Sequence, residues 1–354
     1  QGQRTVGITE KPELAPLDKL KEQYGFEPPR EEGLTTVDAC EAILKHELQA
    51  FIGLGGNFLR AVPETRLMEA AWRQLPLSVQ VATKLNRNHV IHGKAAYLLP
   101  CLGRIEIDRQ RSGEQAVTIE DSTSYMHGSR GMTEPAASSL LSEPAIVAGI
   151  AKATLDPNPK VDWDGWVADY ATIRDAIAET FPSIVHDFNA RMWTPGGFRK
   201  PLGAAERVWN TESGKAEFTT PEELAGNPDM QGGPDVLRLF TIRSDGQFNT
   251  TIYSHDDRFR GVNGSRMVLF MAPRDIERYG LAQGDVVSLR TATDDGVERR
   301  VDGLAIVPYD VPPGAIAGYY PECNPLIPLW HHAKESKVPA AKSIDVVLER
   351  TGQT

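Results

Sequence analysis

The sequence predicts an α/β domain built on a parallel sheet, followed by a compact β-barrel domain. Three observations lead there. Between residues 36 and 100, short apolar strands alternate with helical segments, the pattern that sets parallel strands under crossover helices. From Pro234 onward the chain turns to short strands at turn-rich spacing. Between them lies Pro221 to Pro234, rich in Glu, Gly, Asn, Asp and Pro and poor in apolar residues. The expected domains are therefore 1–222, an α/β domain with a helical return segment, and 233–354, the β domain.

The elements follow in order. Thr36 to Leu48 carries Val37, Cys40, Leu44 and Leu48 at helical spacing, with Thr36 as N-cap. Gln49 to Leu54 is a short apolar strand that ends in Gly55-Gly56-Asn57. Glu64 to Leu75 is helical, Leu77 to Ala82 a strand, Asn86 to Gly93 one or two helical turns, and Ala95 to Pro100 a third strand. Glu143 to Leu155 is a helix with Pro144 in its first turn. Asp162 to Glu179 repeats Trp166, Tyr170, Ile173 and Ile177 as one helix, stopped by Pro182. Strands are expected at Val236–Ile242, Met267–Met271, Val286–Thr291, Gly303–Pro308 and Ile344–Leu348, with a short helix over Arg274 to Tyr279.

Composition narrows the function classes. Apolar residues make up 40% of 354, enough for an ordinary globular core. With 48 acidic against 38 basic residues the net charge is −10, which argues against nonspecific nucleic-acid or anionic-membrane binding. Cys40, Cys101 and Cys323 are far apart and form no C-x-x-C pair, so local ligands build neither a zinc site nor an iron–sulfur cluster. They read as reduced thiols of a cytoplasmic protein. No run reaches the ~20 apolar residues of a membrane span.

The richest segment is Arg243 to Tyr253, entered directly from the strand Val236–Ile242. Apart from Ile252, every residue in it is polar, glycine or aromatic. Hydroxyls and amides give paired donors and acceptors, Arg243 suits anionic oxygens, and Gly246 permits close backbone approach. The competing reading is a long polar loop. Gly55-Gly56-Asn57 follows a strand and precedes a helix, where backbone N–H groups meet phosphates, although tight βα turns use glycine without any ligand. Thr83-Lys84-Leu85-Asn86 follows the next strand's carboxyl end, where open sheets bind ligands, and reads equally as a capped helix start. Asp108, Glu120 and His127 could serve a metal-dependent hydrolase, against a plainer reading as salt-bridged loops.

Taken together, these segments are familiar. Thr241-Ile242-Arg243-Ser244 with Gln247-Phe248-Asn249-Thr250-Thr251-Ile252-Tyr253, Pro273-Arg274-Asp275-Ile276 with Gly280-Leu281 and Gly284-Asp285-Val286-Val287, Thr83-Lys84-Leu85-Asn86-Arg87, Leu98-Leu99-Pro100-Cys101-Leu102-Gly103-Arg104 and Thr118-Ile119-Glu120-Asp121-Ser122 resemble the carboxyl-terminal half of molybdopterin oxidoreductases, in the formate dehydrogenase-like alpha-subunit branch. The resemblance implies a Rossmann-like domain and an aspartate-decarboxylase-like double-psi barrel. It implies molybdenum or tungsten held by two molybdopterin guanine dinucleotides (bis-MGD). It places Gly55, Gly56, Asn57, Thr83, Lys84 and Asn86 at the guanine dinucleotide, and Arg243, Ser244, Gln247, Asn249, Thr250, Asn324 and Lys342 around the pterins. It implies no catalytic residue and no metal ligand in this chain. The [4Fe–4S] cluster and the metal-proximal residue would belong to an amino-terminal half that nothing here matches, and Gln1 is not an initiator methionine. The expectation is a portion of a formate-oxidising enzyme, inactive alone, partnered by that half, a small substrate and an electron acceptor. The rivals are a stand-alone pterin or nucleotide carrier, or the same family acting on another substrate.

Overall fold

The structure, a computed structural model, describes residues 2–218, 220 and 232–350. Most of the segment expected as the boundary, residues 221–231, lies outside them. The chain forms two compact units that do not follow chain order: Gln1–Leu34 with Val81–Lys84 and Leu99–Thr220, and Thr35–Gln80 with Leu85–Leu98 and Pro221–Thr354. The expected domains 1–222 and 233–354 are contiguous, so residues 35–80 and 85–98 stand differently, grouped with the barrel.

The first unit is helical with small antiparallel sheets. Its helix Glu143–Thr154 is capped by Ser142, whose Oγ accepts the Ala145 N–H at 3.3 Å. The expected single helix over 162–179 is two, Trp163–Ala168 and Tyr170–Thr180. Asp169 breaks it: its backbone is extended (φ −152°), and its carboxylate accepts the Ala171 N–H at 2.9 Å, ending one helix and capping the next. Asp108 is held here by the Tyr170 hydroxyl (2.5 Å) and the Gln110 amide (2.6 Å). His127 lies 3.2 Å from Asp121.

The second unit contains the three-stranded sheet β1 (Ala50–Leu54), β2 (Leu77–Ala82) and β3 (Ala95–Pro100), in that order. The last residues of β2 and β3 run on into the first unit. Helices α1 (Thr36–Leu44), α2 (Phe58–Ala61), α3 (Thr65–Trp72) and α4 (Arg87–Val90) accompany it. The cap of α1 is Thr35, one residue before the expected Thr36: Thr35 Oγ1 accepts the Asp38 N–H and Asp38 reaches back to the Thr35 N–H, both at 3.2 Å. Val37, Cys40, Ile43, Met68 and Trp72 form the core between helices and sheet, with Phe51 against Trp72 at 4.7 Å.

Six strands close the barrel: β4 (Val236–Ile242), β5 (Val268–Met271), β6 (Val286–Thr291), β7 (Arg300–Pro308), β8 (Ala315–Tyr319) and β9 (Ile344–Arg350), in the ring order β5-β7-β6-β9-β4-β8. The pairs β5/β7 and β4/β8 are parallel and the other four antiparallel. That pattern is unchanged when β5 exchanges with β8, β7 with β4 and β6 with β9. Along β4, Leu237, Leu239 and Thr241 face inward and the alternate residues do not, the period-2 signature of a strand with one wet face. β5 is buried on both faces, with Leu269 and Met271 in the interior and Val268 and Phe270 under Tyr319. Gly303, at φ +81°, sits where the β6/β7 register slips, and glycine supplies the left-handed turn of that bulge. Helix α5 (Pro273–Arg278) starts on Pro273 and ends on Arg278, each one residue before the expected bounds Arg274 and Tyr279.

A buried latch ties α3 to the barrel within this unit. Glu64, in the left-handed region at φ +54°, receives Arg299 Nε at 3.0 Å, Arg299 Nη2 at 2.5 Å and the Leu329 N–H at 3.0 Å. Arg299 also meets Asp295 at 2.9 Å, and Asp295 accepts the Trp330 indole N–H at 2.8 Å. The bond to Arg299 comes first in holding the Asp295 carboxyl low, at about 2.

Candidate functional site

The loop after β4 is built over one arginine. Arg266 is 3% exposed and gathers the loop's polar side chains around it. Its guanidinium donates to Ser244 Oγ, to Gln247 Oε1 (2.7 Å), to the Tyr320 carbonyl (3.0 Å) and to both Glu322 oxygens (2.7 and 3.0 Å). The fork-to-carboxylate geometry compensates the desolvation of both charges. The guanidinium also lies 4.4 Å over the Tyr319 ring, and the Tyr319 hydroxyl donates to buried Asp257 at 2.8 Å. Gln247 donates through Nε2 to the carbonyls of Asn249 (2.7 Å) and Tyr320. Ser244 and Gln247 are thus used internally: they hold the loop's shape.

What the loop presents outward is different. Residues 247–248 and 251–252 pair as a two-residue hairpin, with Asn249 at φ +51° and Thr250 at its turn. Phe248 and Tyr253 are each 67% exposed and meet edge to face at 5.9 Å. Arg243 is exposed, with Asn249 Oδ1 at 3.4 Å. Beside it, Lys342 donates to the Thr241 carbonyl. Burial first, then the like charge of Arg243, lowers the Lys342 pKa. Neither cation is paired with a carboxylate among the described residues. Two unneutralised cations side by side form a site for an anion.

The second cluster sits at the carboxyl end of β1. Gly55 and Gly56 adopt φ +71° and +78°, and a Cβ at either would meet nothing within 4 Å, so the turn's backbone borders open space. Asn57 precedes α2 without capping it, and its Oδ1 is buried with no partner among the described residues. Asn86 caps α4 by accepting the Asn88 N–H (3.0 Å), and its Nδ2 donates to the Gly56 carbonyl (2.7 Å). Asn88 Oδ1 accepts the Leu59 N–H at 2.8 Å. His89 Nδ1 accepts the Asn86 N–H at 2.8 Å, and burial lowers its pKa, so the ring is neutral with its proton on Nε2. Thr83 and Lys84 belong to the first unit.

One helical turn connects the clusters. α2 begins at the glycine turn, and its last carbonyls are taken by the barrel: Asn324 Nδ2 donates to the carbonyls of Arg60 (2.9 Å) and Val62 (2.6 Å), and the Tyr320 hydroxyl to that of Ala61 (3.0 Å). Burial pushes the Tyr320 hydroxyl up to about 12, which keeps it a donor. Asn324 is buried at this junction. Of the sequence candidates, the structure brings Gly55, Gly56, Asn57 and Asn86 together, and gathers Arg243, Ser244, Gln247, Asn249, Thr250 and Lys342 at the loop. Sequence reasoning missed Arg266. Arg266 had one signal, an arginine two residues before an apolar strand.

Among the described residues, no group of three or more His, Cys, Asp and Glu could hold a metal ion. No helix there is long and apolar enough to cross a membrane.

Residues 237–344 match the Molydopterin dinucleotide binding domain. Protein YdeP of Escherichia coli O6:H1 is 45% identical over 351 residues, 99% of this chain and 46% of that protein. An uncharacterised oxidoreductase of Mycobacterium tuberculosis H37Rv is 43% identical over 357 residues, 99% of this chain and 45% of that protein. The solved structure of acetylene hydratase from Pelobacter acetylenicus superimposes with a TM-score of 0.55 at 15% identity, covering 94% of this chain and 49% of that one. The chain therefore spans about half the length of the curated relatives it matches.

Proposed function

We propose that this chain is the carboxyl-terminal region of a molybdopterin oxidoreductase, a reading supported by its matched domain and its oxidoreductase relatives, and that it forms half of a cradle for bis-MGD carrying molybdenum or tungsten. The observation that carries the proposal is the unpaired cation pair Arg243 and Lys342 on a barrel joined through α2 to an open diglycine turn. The donors fit such a ligand: cations and glycine backbone for pyrophosphate, and Asn249, Thr250, Asn57 and Asn86 for the mixed donors and acceptors of pterin, guanine and ribose. Ser244, Gln247 and Asn324 position these groups. Thr83 and Lys84 are proposed contacts by sequence resemblance alone. We read the α/β part as Rossmann-like and the barrel as double-psi, the latter supported by its two parallel pairs and their exchange symmetry.

When bound, the metal centre would accept the two electrons released as formate becomes CO2 and a proton. This chain's own residues bind and orient the dinucleotides and exclude water from one side. Formate is the substrate favoured by resemblance to formate dehydrogenase-like subunits. A different substrate in the same family is the second reading, because a protein with this fold bears the name hydratase, and fold does not fix chemistry. The [4Fe–4S] cluster, the metal-proximal residue and an electron-transfer contact are assigned to chain outside these residues, so the 354 residues alone are expected to be inactive; the enzyme is proposed to be cytoplasmic.

The test is full-length protein analysed by mass spectrometry and metal analysis for guanine dinucleotide, molybdenum or tungsten, and iron, followed by formate-dependent dye reduction. Absence of pterin and metal overturns the proposal. Pterin and metal without formate-dependent reduction moves it to the second reading. Arg243→Ala with Lys342→Ala is expected to lower retained dinucleotide by about tenfold or more while leaving the fold intact.

A further inference from the structure

In the β1–β2–β3 sheet one face of β1 and β2 is covered and the other is more open, while Ala95 to Leu98 of the edge strand β3 are exposed on both faces. Side chains alternate along each strand, so the faces can be assigned. On β1, Phe51 stacks on Phe58 and Trp72, which marks the helix side, and Ala50, Ile52 and Leu54 point the other way. On β2, Ser78 Oγ accepts the Gly93 N–H and Gln80 lies over Gly53, both on the helix side, leaving Leu77, Val79 and Val81 opposite. On β3, Leu99 shares an apolar cluster with Val81, so Ala95 and Tyr97 belong to the same face. Every residue of that face is apolar. Val81 and Leu99, at the carboxyl ends, pack with Ile146 and Ile150 in the first unit. Of the rest, Leu77 and Val79 on the central strand are half-buried, while Ile52 is 57% exposed, Leu54 50% and Tyr97 61%. A contiguous apolar sheet face of this kind marks an interface.

We propose that this face docks the remainder of a longer polypeptide. The argument for that occupant is length. Relatives 43–45% identical across 99% of this chain devote only 45–46% of their own residues to it, so each has as much chain again to lay against the sheet. The inference rests on the part of the functional reading that makes these residues a portion of a longer enzyme.

Thiol labelling tests it against a silent background. Cys40, Cys101 and Cys323 are buried, and burial raises their thiols to about 12, 11 and 12. A single cysteine, Ile52→Cys, is placed in the 354-residue chain and in the protein from the complete reading frame, and maleimide labelling rates are compared. Ala50→Cys, at the exposed start of the same face, serves if Ile52→Cys does not fold. The expected result is fast labelling in the 354-residue chain and labelling about 100-fold slower in the longer protein, limited by local opening. Equal rates overturn the proposal. So does slowing in the 354-residue chain that grows with its concentration, which identifies a second copy as the occupant, and so does a reading frame that adds no residues. Protection of the cysteine in a longer protein free of pterin and metal leaves this surface standing while removing the cofactor reading, so the two fail separately.

Discussion

The barrel and the three-stranded sheet solve the same problem to different degrees. Every barrel strand is paired on both edges, and its core of Leu237, Leu239, Leu269 and Leu289 is sealed. The sheet carries its own core on one side only and exposes Ile52 and Tyr97 on the other. A region that closes on itself can preorganise a ligand loop with its own residues, as Arg266 does. A region left open depends on further chain for its final burial.

The largest effect that would break this comparison is loss of the hub. Arg266→Ala leaves half-buried Glu322 without its partner and frees Ser244 and Gln247. Urea unfolding is expected to show a loss of about 3–5 kcal/mol; a loss below about 1 kcal/mol would mean the loop is supported by something else. Next, Leu239→Ala inside the barrel is expected to cost about 2–5 kcal/mol, while Ile52→Ser changes the 354-residue chain by about 0.5 kcal/mol or less. Equal costs at the two positions would erase the distinction between sealed and open faces. The smallest effect is acid sensitivity of the latch. Asp295 has its folded pKa lowered from 3.8 to about 2, so its contribution is complete above pH 3.8 and is lost as pH falls toward 2. Asp295→Asn should flatten that part of the stability–pH curve, and an unchanged slope would remove the latch from the account.

Much of this was legible locally. β2 and β3 lie where alternation and flanking turns place them, and Pro273 opens its helix because its missing N–H is an orphan there anyway. What escaped depends on distant partners. β8 reads Ala-Ile-Ala-Gly-Tyr, weak in strand preference, and Gly318 is needed because a Cβ there would come within 2.4 Å of Cys323 Sγ. Nothing near Arg266 reveals Glu322, 56 residues on, and nothing near Glu64 reveals Arg299, 235 residues on. Ser244 and Gln247 illustrate the limit at the site itself. A dense set of donors and acceptors looks the same in sequence whether a ligand or a buried arginine satisfies it. Asp169 escaped for a smaller reason, since helical periodicity continues across it while its side chain ends the helix.

The short helix α2 has a further consequence as a gauge block. Its four residues set the spacing between the glycine turn and the Tyr320–Asn324 turn, about 6 Å at 1.5 Å per residue. A rod so short has no slack to absorb an error. One inserted alanine lengthens it by about 1.5 Å and turns one end by roughly 100° relative to the other, so the three bonds at its far end can no longer all be made. Insertion in this four-residue helix is therefore expected to be poorly tolerated.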